Sequence, residues 1–345
     1  MTRRYPLLGV FSDSCTAPRQ KSPATPIHNQ DGTQARWGEL TGVPPSSPED
    51  IVEIAPFASQ AETTRAFIAE SSSLTAAESA IHIPAHQLLS PVTSDGNIFL
   101  QGLNYQAHAA EAQHAKRHSN LFFAKASSSL TGPFTEIVRP EEVQLLDYEV
   151  EFGIVLRRDL GASDQIDEGS LGDAVAGVVL CNDVSARDTM FGTSFLQWFR
   201  GKSYRTFCPV GPALWLLDPA EVSDALGNLE IKLWVNGELR QSGTSDQLIF
   251  GPVDTLNYIA STMDLRSGDL LLTGTPGGVT APATPRMVEI LKENLLADTL
   301  RRDELRVEMS KGRPFLQPGD VVTATLADKR GRQLGGLSNK VADAK

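Results

Sequence analysis

The chain has 345 residues, 41% of them hydrophobic and 21% charged, a composition that excludes a disordered or fibrous protein and allows one large or two moderate globular domains. Its 31 basic and 42 acidic residues give a formal net charge of −11 without a compensating basic block, which argues against nucleic acid or an anionic membrane as a partner. Its three cysteines lack metal-type spacing, so we expect neither a disulfide framework nor a structural zinc site.

The first 95 residues predict a smaller N-terminal α+β domain that carries no recognisable chemistry. The apolar run from Pro6 to Phe11 is too short for a secretory signal or a membrane span, which predicts a soluble, cytoplasmic protein. Farther along, the Pro- and Ser-rich stretch "TGVPPSSPED" precedes a helix-like sequence. Ser47 and Pro48 suit the N-cap and first position of a helix, so we expect a helix to begin there.

Residues 96–345 are richer in β-type sequence and predict a second, larger domain. Its strand candidates are bounded by Gly, Pro, Asn or Asp: "NIFLQGLNY", "LDYEVEFGIVL", "AVAGVVLCND", "GPALWLL", "LEIKLWVNGELRQ", "DLLLTGT" and "DVVTATL". Asn236-Gly237 predicts a two-residue hairpin turn. Helical patterns occur in "NYQAHAAEAQHAKRH", in "PVDTLNYIASTMD" and across an apparent insertion at about 282–313. The predicted fold class is α+β with a large mixed or antiparallel sheet system.

The candidate strand "LDYEVEFGIVL" carries acids on an apolar segment. Strand alternation places Glu149 and Glu151 on one face, with Cα atoms about 6.5 to 7 Å apart. Asp183 ends a second apolar strand and could supply a third carboxylate. Three carboxylates would form an all-oxygen site suited to Mg²⁺, Mn²⁺ or Ca²⁺. Taken alone, however, the two glutamates are explained more simply by a solvated strand face.

Two further residue pairs could carry chemistry. His108 and Glu111 lie at i and i+3 of a helix, where the acid could orient the imidazole as a general base; an exposed helix with an incidental pair is the alternative. Lys125 and Lys202 lie among apolar and aromatic residues and could bind a carboxylate or an oxyanion, or their ammonium groups could reach solvent. Signatures of esterase elbows, P-loops, zincins and Rossmann domains are absent from the sequence. "TGTPGGV" indicates a turn after a strand, with a ligand-contacting loop as the alternative.

Eight segments between about Gly96 and Val341 resemble the fumarylacetoacetate hydrolase family in the family's order. They are "GLNYQAHAAE", "LFFAKASSSLTGP", "LDYEVEFGIVL", "GVVLCNDVSARD", "RGKSYRTFCPVGP", "VNGELRQ", "GDLLLTGTPGGV" and "LQPGDVV". Eight ordered matches are specific for the family, although they do not choose a reaction.

The resemblance implies a mixed β-sandwich roll, usually assembled as a homodimer, with a divalent metal held by Glu149, Glu151 and Asp183. It also implies that the short helix carrying His108 and Glu111 is a lid that orders over bound substrate. Asp147 matches no ligand position of the family and is interpreted as a structural acid at the start of the strand.

Four more positions acquire roles from the resemblance. Lys202 matches the lysine of the family's "RGKS" stretch, and Lys125 matches the lysine after its "FF" pair. Arg187 and Thr275 match positions of "SARD" and "TGTP" that often contact substrate. Met190 stands where many members carry Gln, which removes one polar group that could contact substrate.

These observations predict a metal-dependent hydrolase, with Mg²⁺ as the expected cofactor, that cleaves a C–C bond in a 1,3-dicarbonyl or acylpyruvate-type 2-oxo acid. His108, held by Glu111, would activate water, Lys202 would stabilise an oxyanion, and Lys125 would bind a substrate carboxylate. The same groups would serve a decarboxylase, isomerase or hydratase of a 2-oxo acid, and a catalytically silent metal-binding protein is a further alternative. The apolar segment "TMFGTSFLQWF" favours a larger or less polar acyl group if it lines the pocket, and otherwise belongs to the core or a dimer contact.

Overall fold

A computed structural model of the chain describes residues 23–28, 35–73, 79–111, 119–281 and 284–344. The strands are mostly short, and their bounds are β1 (Pro23–His28), β2 (Ala35–Leu40), β3 (Ile51–Pro56), β4 (Ile81–Pro84), β5 (Ile98–Gln101), β6 (Phe122–Lys125), β7 (Leu130–Thr131), β8 (Ile137–Arg139), β9 (Leu146–Asp147), β10 (Val150–Leu156), β11 (Val175–Asn182), β12 (Ser185–Ala186), β13 (Cys208–Leu216), β14 (Leu229–Val235), β15 (Glu238–Thr244), β16 (Leu270–Leu272), β17 (Val321–Asp328) and β18 (Gln333–Asp343).

The helices lie between these strands and are also short. Their bounds are α1 (Thr64–Glu70), α2 (Gln106–Glu111), α3 (Leu171–Ala174), α4 (Arg187–Gly192), α5 (Trp198–Lys202), α6 (Val222–Gly227), α7 (Pro252–Ala260), α8 (Pro285–Glu293) and α9 (Asp298–Met309). Within the described residues, no helix is both long and apolar enough to cross a membrane. The fold is mixed α+β and is dominated by sheet, as the sequence predicts.

Two sheets organise the described residues. The larger has 11 strands in the order β4-β3-β2-β1-β13-β11-β10-β16-β5-β6, with β7 paired to β13. The smaller has five strands in the order β15-β14-β17-β18-β8, and β9 pairs with β12 in a separate ribbon. β14, β17 and β18 contact β10, β11 and β13, so the two sheets pack face to face.

Strand β10 lies at the centre of this arrangement, and all of its residues are buried. Phe152 and Ile154 belong to the core shared with the five-stranded sheet, which includes Ile231 and Leu326. Val155 belongs to the separate core on the opposite face of the large sheet. Because both faces of β10 are covered, an acidic side chain on this strand does not point into solvent.

The expectation of a helix at Ser47 is wrong, because residues Ile51–Pro56 form strand β3. Asp50 accepts the backbone N–H of Ser47 in a turn, so the apparent capping signal starts a turn instead. The following residues alternate, with Ile51 64% exposed and Ile54 fully buried, which suits a strand paired on both sides. The helix of this region begins later, at α1, where the Thr63 side chain accepts the N–H of Ala66.

Strand β1 pairs antiparallel with β13, so the N-terminal strands continue the large sheet of the remaining chain. The division of the chain at residue 95 stays a prediction. The predicted hairpin between β14 and β15 is present, with φ of 51° at Asn236 and 80° at Gly237. Positive φ at both positions is the conformation that Asn-Gly favours in tight hairpins.

Candidate metal centre and adjoining cavity

Three carboxylates meet where β10 and β11 run side by side. Glu149 directly precedes β10, Glu151 lies in it opposite Cys181, and Asp183 directly follows β11. One carboxylate oxygen from each acid lies within 4.8 Å of the other two, and all three acids are buried. The antiparallel register thus joins acids that are more than 30 residues apart in the sequence.

This cluster has the charge and donor chemistry of a cation site. Burial raises the pKa of Glu151 well above its usual value, and the nearby charges of Asp183 and Glu149 raise it further. A divalent cation among the three oxygens would relieve that repulsion, and carboxylate oxygens are the ligands that Mg²⁺, Mn²⁺ and Ca²⁺ favour. The residues therefore fit a hard divalent cation.

Lys202 sits against the same acids. Its ammonium donates to Glu149 Oε2 at 2.9 Å, to Ser185 Oγ at 2.9 Å and to Asp183 Oδ2. Burial lowers the pKa of Lys202, but the charges of Asp183 and Glu149 outweigh burial and leave the pKa raised. The side chain is therefore a cation held beside the carboxylates.

Arg187 forms the second cationic contact of Glu149. Its Nη2 donates to Glu149 Oε1 at 2.6 Å, and its Nε donates to Asp147 Oδ2 at 2.9 Å. Burial alone would raise the pKa of Glu149, but the charges of Lys202 and Arg187 outweigh burial and hold that pKa well below its usual range. Glu149 is thus ionised where Glu151 resists ionisation.

Asp147 organises the residues around Arg187. It is fully buried and, besides Arg187, accepts the backbone N–H groups of Thr280 at 2.9 Å and Ala281 at 3.0 Å. Through Asp147, which ends β9, the loop at 280–281 is attached to the segment that leads into β10 and carries the glutamates. In the sequence, Asp147 stands out only as a third acid that alternates with the two glutamates. The residues that it contacts lie far from it along the chain.

Lys125 contacts Asp183 and lies outside the described lining of the adjoining cavity. Its ammonium donates to Asp183 Oδ1 at 2.5 Å and to the carbonyl oxygen of Phe207 at 2.6 Å, and its side chain is fully buried. It is not among the residues that line the adjoining cavity. The expectation that Lys125 binds a substrate carboxylate stays a prediction, and in this structure the lysine contacts Asp183 instead.

The loop after β16 closes the other side of the cluster. The N–H of Gly274 donates to Glu151 Oε2 at 2.6 Å, and its φ of 92° is a conformation that suits glycine. Thr275 Oγ1 donates to the carbonyl oxygen of Val150 at 2.9 Å and accepts from Gln241 Nε2 at 2.7 Å. Sequence reasoning missed Gln241, because its role depends on how β15 packs against this loop. "TGTPGGV" is an irregular loop after β16, and its residues Thr275 and Val279 line the cavity.

A cavity of about 360 Å³ opens beside the cluster. Its polar lining includes five of the residues singled out in the sequence: His108, Glu149, Arg187, Lys202 and Thr275. Glu151 and Asp183 lie next to that lining through their contacts with the loop after β16 and with Lys202. Glu111 ends the same helix as His108, and its side chain falls outside the described residues, so the predicted pairing of the two remains a prediction.

Comparison with known proteins finds a matching family and similar chains. Residues 97–342 match the family "Fumarylacetoacetate (FAA) hydrolase C-terminal". The chain is 37% identical over 194 residues to oxaloacetate tautomerase FAHD2B, mitochondrial, of Bos taurus, an alignment that covers 55% of this chain and 59% of the tautomerase. It is 40% identical over 200 residues to 2,4-didehydro-3-deoxy-L-rhamnonate hydrolase of Sphingomonas sp. (strain SKA58), covering 57% of this chain and 67% of that protein.

The chain thus spans 59% of the length of the tautomerase that it matches. Among solved structures, a fumarylacetoacetate hydrolase from psychrophilic Exiguobacterium antarcticum aligns with a TM-score of 0.67 at 26% identity. That alignment covers 93% of this chain and 99% of the solved chain.

Proposed function

The chain belongs to the fumarylacetoacetate hydrolase family, and we propose that it is a divalent-cation-dependent enzyme that hydrolyses a C–C bond in an acylpyruvate-type 2-oxo acid. The observation that carries the proposal is that one cavity brings His108, Lys202 and Thr275 to the edge of the carboxylate cluster. Such a hydrolysis requires a general base, a positively charged side chain and a binding site for a divalent cation, and one cavity brings the three together.

The proposed reaction adds water across one C–C bond. An acylpyruvate, R–CO–CH₂–CO–COO⁻, and water give a carboxylic acid, R–COOH, and pyruvate. Water supplies OH to the acyl carbon and H to the CH₂ carbon, and the electron pair of the broken bond leaves with pyruvate as its enolate. The difficult charge is therefore on the oxygens of the departing enolate.

Glu149, Glu151 and Asp183 would hold the cation, which supplies positive charge to substrate oxygens and to the enolate when bound. His108 takes the proton of the attacking water at its imidazole and later returns it to the enolate carbon. Lys202, a cation that lines the cavity, stabilises through its charge the oxygen that becomes negative on the acyl carbon.

Incubation with 4-phenyl-2,4-dioxobutanoate and Mg²⁺ tests this proposal. We expect the enol absorbance to decay with stoichiometric release of pyruvate and benzoate, and His108→Gln to slow it by roughly 10²- to 10⁴-fold. His86→Gln is the matched control, because His86 is an exposed histidine outside the cavity lining, and it should retain the wild-type rate. Turnover without pyruvate release would refute the hydrolase, and equal rates in all three proteins would refute His108 as its base.

A second candidate is a tautomerase that interconverts the keto and enol forms of a 2-oxo acid, which is favoured by the likeness to oxaloacetate tautomerase. This reaction needs only proton transfer, and His108 is placed for it as well. With oxaloacetate as substrate, a tautomerase speeds the approach to the keto–enol equilibrium and forms no new product. Observing only that behaviour with both substrates would favour the tautomerase over the hydrolase.

A further inference from the structure

The cavity has two chemically different ends. One end is the polar group described above. The other is apolar and is built by two segments, the stretch from α4 to α5 and the inserted helix α8. The first segment contributes Phe191, Leu196 and Trp198, and Met190 lies where the two ends meet, since its Sδ accepts from Arg187 Nη1 at 3.9 Å. The second contributes Met287, Val288 and Leu291.

The inserted helices are fixed to the body of the protein. Arg301 on α9 is fully buried and donates to the carbonyl oxygens of Asn294 at 2.9 Å and Thr193 at 3.0 Å. It therefore joins the loop between α8 and α9 to the segment that follows α4. Arg306 adds a contact to Asp188 of α4 at 2.8 Å. These contacts hold α8 in place as a wall of the cavity.

The part of the apolar end that the structure describes has no charge that could receive an anion. Among the described lining residues, Arg187 and Lys202 are the only lysine or arginine side chains, and both contact Glu149 at the polar end. Arg286 of α8 is exposed and forms ion pairs with glutamates outside the cavity. A second substrate carboxylate at the α8 end would lose its hydration without a partner, which costs several kcal/mol.

We infer that the substrate is a monocarboxylic 2-oxo acid whose acyl group is an extended apolar chain or an aromatic ring. The acyl group lies against Met287, Val288 and Leu291, while the 2-oxo acid group faces the polar end. This inference rests on the proposed function for the reaction, but the selectivity itself follows from the cavity walls. The inserted segment, whose role the sequence leaves open, thereby determines specificity.

Binding of unreactive ligands tests the selectivity apart from the reaction. N-alkyl oxamates keep a 2-oxo acid group and vary only in chain length, and their affinities for the Mg²⁺-loaded protein can be measured by calorimetry. We expect the affinity to rise about fourfold per added methylene while the chain follows the apolar wall. An oxamate with a terminal carboxylate of equal length should bind at least tenfold more weakly. Equal affinities across the series, or tighter binding of the dicarboxylate, would overturn the inference.

Variants of α8 assign the effect to the wall. Val288→Lys and Leu291→Lys place a cation at the apolar end, so the preference for N-hexyl oxamate over its terminal carboxylate analogue should fall at least tenfold in each. Two variants are used because Val288 is 44% exposed and tolerates a lysine more readily than Leu291. Leu300→Lys is the control, since this α9 residue is exposed and outside the cavity lining. An unchanged preference in both α8 variants, or an equal change in the control, would overturn the inference.

Kinetics with acylpyruvates separate this inference from the proposed function. If the protein binds long oxamates best but releases no pyruvate from any acylpyruvate, the hydrolase proposal fails and the selectivity stands. If it hydrolyses acylpyruvates but has a higher kcat/KM for those with a terminal carboxylate, the hydrolase stands and the selectivity fails.

Discussion

The two ends of the cavity are built from different kinds of structure. At the polar end, β10, β11 and the residues that flank them place the carboxylates, and α2, α4 and α5 place His108, Arg187 and Lys202. At the apolar end, helices present side chains that pack by shape and hydrophobic burial. In the proposed enzyme, the sheet would hold the carboxylates of the cation site, and the inserted helix α8 would select among acyl groups. Changes at the polar end should affect the rate of every substrate, whereas changes at the apolar end should affect the choice among substrates.

The largest expected effect comes from removing one candidate ligand at the polar end. Glu151→Gln should lower the cation-dependent rate by roughly a thousandfold, because several kcal/mol of charge stabilisation are lost with the cation. The melting temperature of the cation-free variant should be no lower than that of the wild type, because Glu151 is the acid that resists ionisation. Calorimetric Mg²⁺ titration and thermal melting measure both effects.

Glu149→Gln is the matched comparison for that variant. It should also lose activity, but it removes the shared charge partner of buried Lys202 and Arg187, so the free energy of unfolding should fall by about 3 to 5 kcal/mol. If the two variants changed stability equally, the opposite electrostatic roles assigned to the two glutamates would be wrong.

A smaller effect is expected at the base. His108→Ala should lower kcat by about 10²- to 10³-fold, within the range for loss of a general base. Its affinity for Mg²⁺ should stay within a few-fold of wild type, because the three candidate ligands are intact. A parallel loss of Mg²⁺ affinity would mean that His108 supports the cation site instead of transferring protons.

The pH dependence of cation binding sharpens the role of Glu151. Its raised pKa means that the cation-free protein keeps this proton to a higher pH than an ordinary glutamate, and the cation must displace it. Mg²⁺ affinity should therefore rise with pH through the raised pKa, by at most about tenfold per unit, and level off above it. Calorimetry in buffers of different ionisation enthalpy should detect the released proton; a pH-independent affinity would contradict the assignment.

The smallest effect is expected at the anchor of the inserted helices. Arg306→Ala removes a partner of buried Asp188 and should lower the free energy of unfolding by about 1 to 3 kcal/mol, with a weaker preference for long acyl groups. Arg286→Ala is its control, because the ion pairs of Arg286 are exposed and should change stability by less than about 1 kcal/mol. Urea unfolding of both variants compares them, and equal losses would argue against anchoring by Arg306.

The elements that the sequence predicts well are those whose signals are local. The strands around Phe152 and Val178 are apolar runs between turn residues, and Asn236-Gly237 specifies its own hairpin. Glu149 and Glu151 could be paired because alternation is a local rule. The false helix at Ser47 arose because a capping residue and a turn residue are chemically the same.

The features that the sequence does not predict depend on distant partners. The position of Lys125 is set by Asp183, which is 58 residues away, and no local pattern shows that the ammonium lies behind the acid. The role of Asp147 depends on Thr280, which is 133 residues away. The inserted helix α8 has an ordinary amphipathic sequence, and only the packing of α9 against α4 brings it to the cavity.

The most direct test of the account is an Mg²⁺ titration of cation-free enzyme during turnover of 4-phenyl-2,4-dioxobutanoate, with pyruvate quantified at each point. The account predicts no pyruvate without the cation, saturation at one functional ion per chain for the wild type, and negligible release by Glu151→Gln at every concentration. Full pyruvate release from the cation-free enzyme, or wild-type release by Glu151→Gln, would contradict the proposed cation-dependent hydrolysis.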